Sequence, residues 1–493
     1  MRNMTVVISD LHFEEEATDI ISDPAGVLDP IVFRRNVPGV AFENMMRDVA
    51  DQARTNGAAR IDLVLAGDIF DLYRTQYWFM NDEGLRPYVD CMEVTPELES
   101  KLIAIIDGIV AEKDVARSVA VFRRFAQGTY LERSDSATPA APFGIPVQLH
   151  YLPGNHDRLA NATPAIRKHV RDLLGMPGGD APFPHYILFA DPPVLIRHGH
   201  EYDRYNFATD LTHEQIGAAL PAALYNAPTW GDYNTVAVAA RLPFLLRRHF
   251  GDGAILKEPV LQIVYCRLLE FDDVRPQSTI VDFFLNTTVP VKLPNQKVRN
   301  IAPDAVKPAD LFAHRETLQK QMWTKIKPVV FELLDEVIAD KYFRQWTWKF
   351  FPFYTVLLLL RPWRWIPLPL WLVRMVGRYL KGDSANLAES FAAHEIEVHK
   401  NAACFVCAGH THKPLVAHIF TRNDLKRFYT DTGTWRNAVL AAGDRRSYGR
   451  VNATTYVTFY GRQTDLQSAG VPDHGFEYWT GYDQNWPVDD YDH

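Results

Sequence analysis

The chain is poor in cysteine, has no apolar run long enough to span a bilayer and carries no excess of positive charge. Each shortage removes a class of protein. Four cysteines in 493 residues, Cys91, Cys266, Cys404 and Cys407, cannot frame a disulfide-stapled fold. Cys404 and Cys407 form a C-x-x-C inside the apolar run Ala402–Ala408, which reads as a buried strand. Residues three apart on a strand point to opposite faces, so a shared metal or redox pair is not expected there. The apolar run Phe350–Leu360 has 11 residues, and a spanning helix needs about 20. A formal net charge of -8 disfavours sequence-independent binding of long nucleic acid. No charged leader with an apolar segment and a small-residue cleavage site precedes the first strand-like run, so the expected location is the cytoplasm. No fixed-period repeat is present.

What is there suits a large core. The hydrophobic fraction is 47%, compatible with one heavily elaborated domain or two. Short β-type runs at Thr5–Ile8, Ile61–Leu65 and Val147–Leu152 alternate with helical periodicity, as in Leu98, Leu102, Ile105, Ile106, Ile109 and Val110. A helix is expected at Pro164–Leu174, then strands at Tyr186–Ala190 and Val194–His198. Strand character returns at Cys404–Ala408, Lys426–Asp431 and Thr454–Tyr460. Alternating strands and helices predict an α/β layered architecture. Between them, from about Asn206 to Lys400, helical periodicity dominates, clearest at Leu311–Ile338. The expected division is a core of residues 1–205 and 400–493 with a helical insertion at 206–399. A Ser/Ala/Pro/Gly-rich loop, Gln127–Pro146, is a second, smaller excursion.

Five polar clusters sit where strands end: Asp10-Leu11-His12, Gly67-Asp68-Ile69-Phe70-Asp71, Gly154-Asn155-His156-Asp157, His198-Gly199-His200 and Gly409-His410-Thr411-His412. Any one of them is an ordinary turn or a structural histidine. Five in order, each after an apolar run, imply one convergent site at the carboxyl ends of a sheet. Carboxylate, amide oxygen and imidazole without thiolate suit divalent ions such as Mn, Fe or Zn. Alternation lets Asp10 and His12, and likewise His410 and His412, face one pocket. The adjacent glycines allow tight backbone.

The series D-x-H, G-D-x-x-D, G-N-H-D, H-G-H and G-H-x-H resembles the signature of the calcineurin-like metallophosphoesterases. The resemblance covers roughly 1–205 and 400–460 and implies a four-layer β-sandwich flanked by helices, around a dinuclear metal centre. On that resemblance Asp10, His12 and His412 hold one metal, Asp68 bridges, and Asn155, His198 and His410 hold the second. Manganese is the first expectation, iron or zinc the alternatives. His156 is the non-ligand histidine near the scissile phosphate, oriented by Asp157, that stabilises the leaving oxygen or protonates it. Asp71 supports its loop. His200 matches no ligand position and either backs a ligand, contacts substrate or serves a turn. The implied reaction is hydrolysis of a phosphodiester or pyrophosphate bond by hydroxide shared between two ions. The implied substrate is a phosphorylated small molecule, a nucleotide or a lipid-linked compound. A nuclease or cyclic-nucleotide phosphodiesterase is the alternative, an inactive binding module a more distant one. Tyr429-Thr430-Asp431-Thr432-Gly433-Thr434-Trp435 resembles the turn after the last motif in the branch containing UDP-2,3-diacylglucosamine pyrophosphatases, and His198–Asp203 is similar to that branch too. The alternative for Gly433-Thr434 is a plain β-turn.

The segment Lys341–Gly382 has no Asp or Glu, eight Lys or Arg, and Trp346, Trp348, Trp363, Trp365 and Trp371. Basic, Trp-rich and proline-broken, it is expected to lie on an anionic membrane surface, with a lid or a subunit contact as alternatives.

Overall fold

The computed structural model describes residues 2–15, 20–130, 141–269, 308–346, 387–399, 402–441, 448–461 and 475–481, with short interruptions at 23–25, 27–29, 33–34, 82–83, 204, 208–214, 216–219, 423–424 and 453. Most of the basic, Trp-rich segment, from 347 onward, lies outside the described residues. Among the described residues no helix is long and apolar enough to cross a membrane.

The fold is mixed α/β, with two five-stranded mixed sheets. The first holds β1 (Arg2–Ile8), β2 (Ala58–Ala66) and β3 (Val147–Leu152). The second holds β4 (Tyr186–Ala190), β5 (Pro193–Arg197), β6 (Phe405–Ala408), β7 (Leu415–Arg422) and β8 (Leu425–Asp431). The chain then returns to the first sheet with β9 (Thr455–Tyr460) and β10 (Gly475–Thr480). The strand orders are β10-β9-β1-β2-β3 and β7-β8-β6-β5-β4. In the first sheet β1, β2 and β3 run parallel, and β9 and β10 add antiparallel. In the second, β5, β6 and β8 run parallel, with β4 and β7 antiparallel at the edges.

The period-two pattern of the strands explains how the sheets bury themselves. Val7, Val64, Ala66, Leu152, Val457 and Phe459 of the first sheet share one apolar cluster with Val194, Ile196, Phe405 and Cys407 of the second. The alternate residues Val6, Ile8, Leu63 and Leu65 join a larger core with α1 (Gly39–Thr55), α2 (Pro96–Val110) and α3 (Lys113–Ala126). That core also takes in α4 (Pro164–Leu174), capped at its start by the Thr163 side chain and closed by Gly175 in a left-handed conformation.

The described part of the insertion is helical: α5 (Trp230–Asn234), α6 (Arg241–Phe250), α7 (Pro259–Leu269), α8 (Pro308–Ala339) and α9 (Leu387–His399). Trp230, Leu245, Val264 and Val329 enter the same core as α1 and α2. Polar contacts add to this. Arg241 is bidentate to Glu336 at 2.9 and 2.8 Å, the Tyr88 hydroxyl donates to Asp340 at 3.1 Å, and Arg158 pairs with Asp232 at 3.0 Å. On the outer face of the second sheet, Phe391, Ala392 and Ile396 of α9 pack against Leu195 and Val406. Buried Glu395 of α9 pairs with Arg197 at 3.0 Å and accepts from Tyr202.

Candidate metal centre

Parallel strands deliver their carboxyl ends to one side of a sheet. Here β1, β2 and β3 end just before Asp10, Asp68 and Asn155, and β5 and β6 just before His198 and His410. His198, expected as the last residue of its strand, lies one residue beyond β5. All five polar clusters therefore converge, although they span four hundred residues of sequence.

The backbone is bent into unusual shapes to do this. Asp10, His12, Asp68, His410 and His412 all have φ between +43° and +73°. Non-glycine residues enter this region at a cost of roughly 1–3 kcal/mol each, and persist only where the surroundings fix them. Here they are fixed. The amides of Asp10 and His12 donate to the carbonyls of Gly67 and Asp68 at 3.0 and 2.8 Å, and the His410 amide donates to the Asp10 carboxylate at 3.0 Å. Two glycines answer a spatial demand: a Cβ on Gly154 would overlap the Asp68 carboxylate, and one on Gly409 would overlap Ser9 and the Asp10 carboxylate.

Three groups result: Asp10 with His12 and His412, His12 with Asp68 and His156, and Asp68 with His198 and His410. In the first, His12 and His412 bring their Nε2 atoms within 2.9 Å, and His412 Nε2 lies 3.3 Å from Asp10 Oδ1. This spacing is that of an N–H···N hydrogen bond, and it also leaves both nitrogens close enough to serve one cation. In the third, His198 Nε2 is 3.2 Å from both Asp68 Oδ2 and Asn155 Oδ1. Asp68 Oδ2 also lies 3.7 Å from His12 Nε2, so one carboxylate oxygen reaches both groups.

The far nitrogens set the tautomers. His198 Nδ1 donates to the Ala66 carbonyl at 2.9 Å, and His12 Nδ1 to Asp71 at 3.1 Å, which turns each Nε2 lone pair inward. Burial holds His12 down at about 3, so it is neutral despite Asp71. Burial alone would lower His198, but Asp68 and Asp10 push it up to about 10, so next to these carboxylates Nε2 holds a proton whose place a bound cation would take. Burial likewise opposes ionisation of Asp68, but His198 and His156 hold it well below the usual carboxylate range. The buried carboxylates thus create a strong demand for positive charge. With carboxylate, amide and imidazole donors and no thiolate, the residues fit one or more divalent ions.

One expected role moves to another residue. Asp157 does not touch the His156 ring. It accepts from the amides of Asp68, Ile69 and Gly154 and from the Tyr151 hydroxyl, and so ties two motif loops together. Burial, then the nearby Asp68 charge, raises its carboxyl to about 6. The partner of His156 Nδ1 is Asp71 Oδ1, at 2.9 Å. The other Asp71 oxygen meets His12, and the amides of Tyr73 and Arg74 also donate to Asp71. Asp71 therefore binds the backbone of its own loop and faces two histidine rings at once. Adjacent Asp and His in G-N-H-D suggested the nearer partner, but the loop turns them apart. His200 belongs to none of the three groups. Its ring packs between His198, Phe207 and Tyr225, and burial holds it down at about 3.

Several contributors were not assigned from sequence. Thr432 shares a hydrogen bond with Ser9, whose hydroxyl donates to Asp10. Thr434 Oγ1 donates to the Asp10 carbonyl at 2.6 Å, and the Trp435 amide does so at 3.2 Å. Trp435 is fully buried, stacks on Phe42 and donates its indole N–H to the Thr455 carbonyl. The T-x-T-W run was the available signal; it props the Asp10 loop. Asp203 was the other omission, visible only as the end of His198–Asp203.

Compared with known proteins, the chain matches no family model, no curated protein and no solved structure.

Proposed function

We propose that this chain is a two-metal phosphoesterase of the calcineurin-like metallophosphoesterase type, hydrolysing a phosphodiester or pyrophosphate bond. The observation that carries the reading is Asp68, a single carboxylate within reach of two histidine-containing groups at the ends of parallel strands. Two sheets sharing an apolar face, with helices outside, suit the β-sandwich of that superfamily. In this reading Asp10, His12, His412 and Asp68 hold one ion, and Asp68, Asn155, His198 and His410 the other, with manganese first and iron or zinc as alternatives. Such ions, when bound, lower the pKa of water and offset charge on the phosphoryl group.

The chain's own residues supply the rest. His156 is buried and its ring centroid lies 4.7 Å from that of His12. Burial alone would lower its pKa, but Asp71 and Asp68 push it up to about 9, so it carries a proton at neutral pH. As water adds to phosphorus and the P–O bond to the leaving group breaks, His156 gives that proton to the departing oxygen. Asp71 keeps the ring turned for the transfer.

Hydrolysis of bis-p-nitrophenyl phosphate, compared with p-nitrophenyl phosphate, tests this. The expected result is turnover of the diester that disappears on chelation and returns with manganese. No diester turnover with manganese, iron or zinc would reject the reading.

A further inference from the structure

His410 is held from behind by residues outside the five clusters. Its Nε2 lies 3.0 Å from Asp203 Oδ2, and Asn206 Nδ2 donates to that same oxygen at 2.8 Å. All three side chains are buried. Asp203 is itself fixed by the amide of Tyr205, which donates to its other oxygen at 3.0 Å. A carboxylate on the far nitrogen of an imidazole ligand sets the ring's tautomer and orientation and raises the basicity of the near nitrogen. Asp203 therefore makes Nδ1 the nitrogen of His410 that serves the group with Asp68 and His198.

Asn206, the first residue of the insertion, is held in turn by helix α5. The Gly231 amide, in α5, donates to the Tyr205 carbonyl at 2.8 Å, and a Cβ on Gly231 would overlap Asn206 Oδ1. Gly231 does not have a positive φ, so a side chain is excluded by space and not by conformation. Helix α5 is clamped on its other flank. Thr229 and Asp232 form a reciprocal cap, and Asp232 pairs with Arg158, the residue that follows the Gly154–Asp157 cluster.

We propose that Asp203 and Asn206 are a positioning pair for His410, and that Gly231 of the helical insertion sets the pair, so that the affinity of one of the two metal sites depends on the insertion. This rests on reading the site as a metal centre. It gives the insertion a defined task at the site, distinct from covering substrate.

The test is a manganese titration of the full-length protein, with free ion followed by electron paramagnetic resonance and thermal unfolding of metal-stripped samples in parallel. Wild type is expected to bind two ions. Asp203→Ala, Asn206→Ser and Gly231→Ala should each weaken one ion by about 10–100-fold and leave the other unchanged. Asp203→Glu should recover part of the loss. Gly231→Ala crowds the buried Asn206 side chain, so some fall in the metal-free melting temperature is expected; loss of affinity for one ion with the other unchanged is the separation that a merely structural role would not give. In the Asn206→Ser background, where the overlapping oxygen is gone, Gly231→Ala should add no further loss. If Asp203→Ala fails to fold, the Asn206 and Gly231 variants decide the matter. Wild-type affinity for both ions in Gly231→Ala, equal weakening of both, or additive losses in the double variant would each overturn the proposal. No manganese bound by wild type would instead remove the metal reading beneath it.

Discussion

At the ends of the two sheets, Asp10, His12, Asp68, His410 and His412 adopt left-handed backbone, whereas none of the described non-glycine residues of the insertion does. Among the described residues, all three groups suited to a metal come from the sheet ends as well. The insertion instead buries helical faces, one stretch of them (Thr235–Ala240) π-helical, and secures them with pairs such as Arg241–Glu336. Backbone strain is therefore concentrated where charged side chains must converge, and the relaxed part of the molecule holds that strained part in place. The two regions should respond very differently to substitution.

The largest effect is expected at Asp68, the carboxylate common to both groups. Asp68→Asn keeps the shape but loses the charge, and should abolish nearly all phosphodiester hydrolysis and weaken retention of both ions. Metal analysis and turnover on the same sample check this. Two retained ions with wild-type turnover would break the contrast at its centre.

Next is His156. Its replacement by Ala should lower the rate by on the order of 10²–10⁴-fold while both ions stay bound. Loss of the ions together with activity would make it a ligand. Asp71→Asn sharpens the point through pH. Burial alone would lower the His156 pKa, but Asp71 and then Asp68 raise it to about 9, so the protonated form persists as pH rises from the ordinary histidine value of about 6.5 towards 9. Without that charge the proton leaves earlier, and the basic limb of the rate profile should move to lower pH. Asp157→Asn, which leaves the His156 partner in place, should not move it.

The smallest effects compare apolar packing between the sheets with an ion pair within the insertion. Phe405→Ala empties part of the cluster between the sheets and should cost about 3–5 kcal/mol in a denaturant melt. Arg241→Met removes a buried guanidinium from Glu336, whose side chain is 38% exposed and can turn to water, and should cost less, about 1–3 kcal/mol. Equal losses would mean that the insertion is bound into the fold as tightly as the sheets are to each other.

Much of this molecule can be read along the chain because its strands are short, apolar and bounded by polar ends. The expected strands at 147–152 and 186–190 and the helix at 164–174 coincide with the observed ones. Leu311–Ile338 falls within α8. Edge strands β7 and β10 escaped notice because each is largely exposed and lacks a continuous apolar run. Helices α1 and α3 were not singled out either, since a helix packed on one side mixes polar residues among its apolar ones.

By itself the sequence determined where the short apolar strands lie, the polar residues at their ends and the absence of thiolate from the donors, because periodicity and residue type are local properties. Only the tertiary structure decided which partners those residues take. Asp71 reaches His156 although Asp157 adjoins it in sequence, Asp203 backs His410 across 207 positions, and Thr434 holds the Asp10 loop across 424. Such pairings depend on how loops from two sheets pass one another. Their physical cause is the need to give every buried charge and backbone dipole a partner, a condition that can be met only once the sheets have packed.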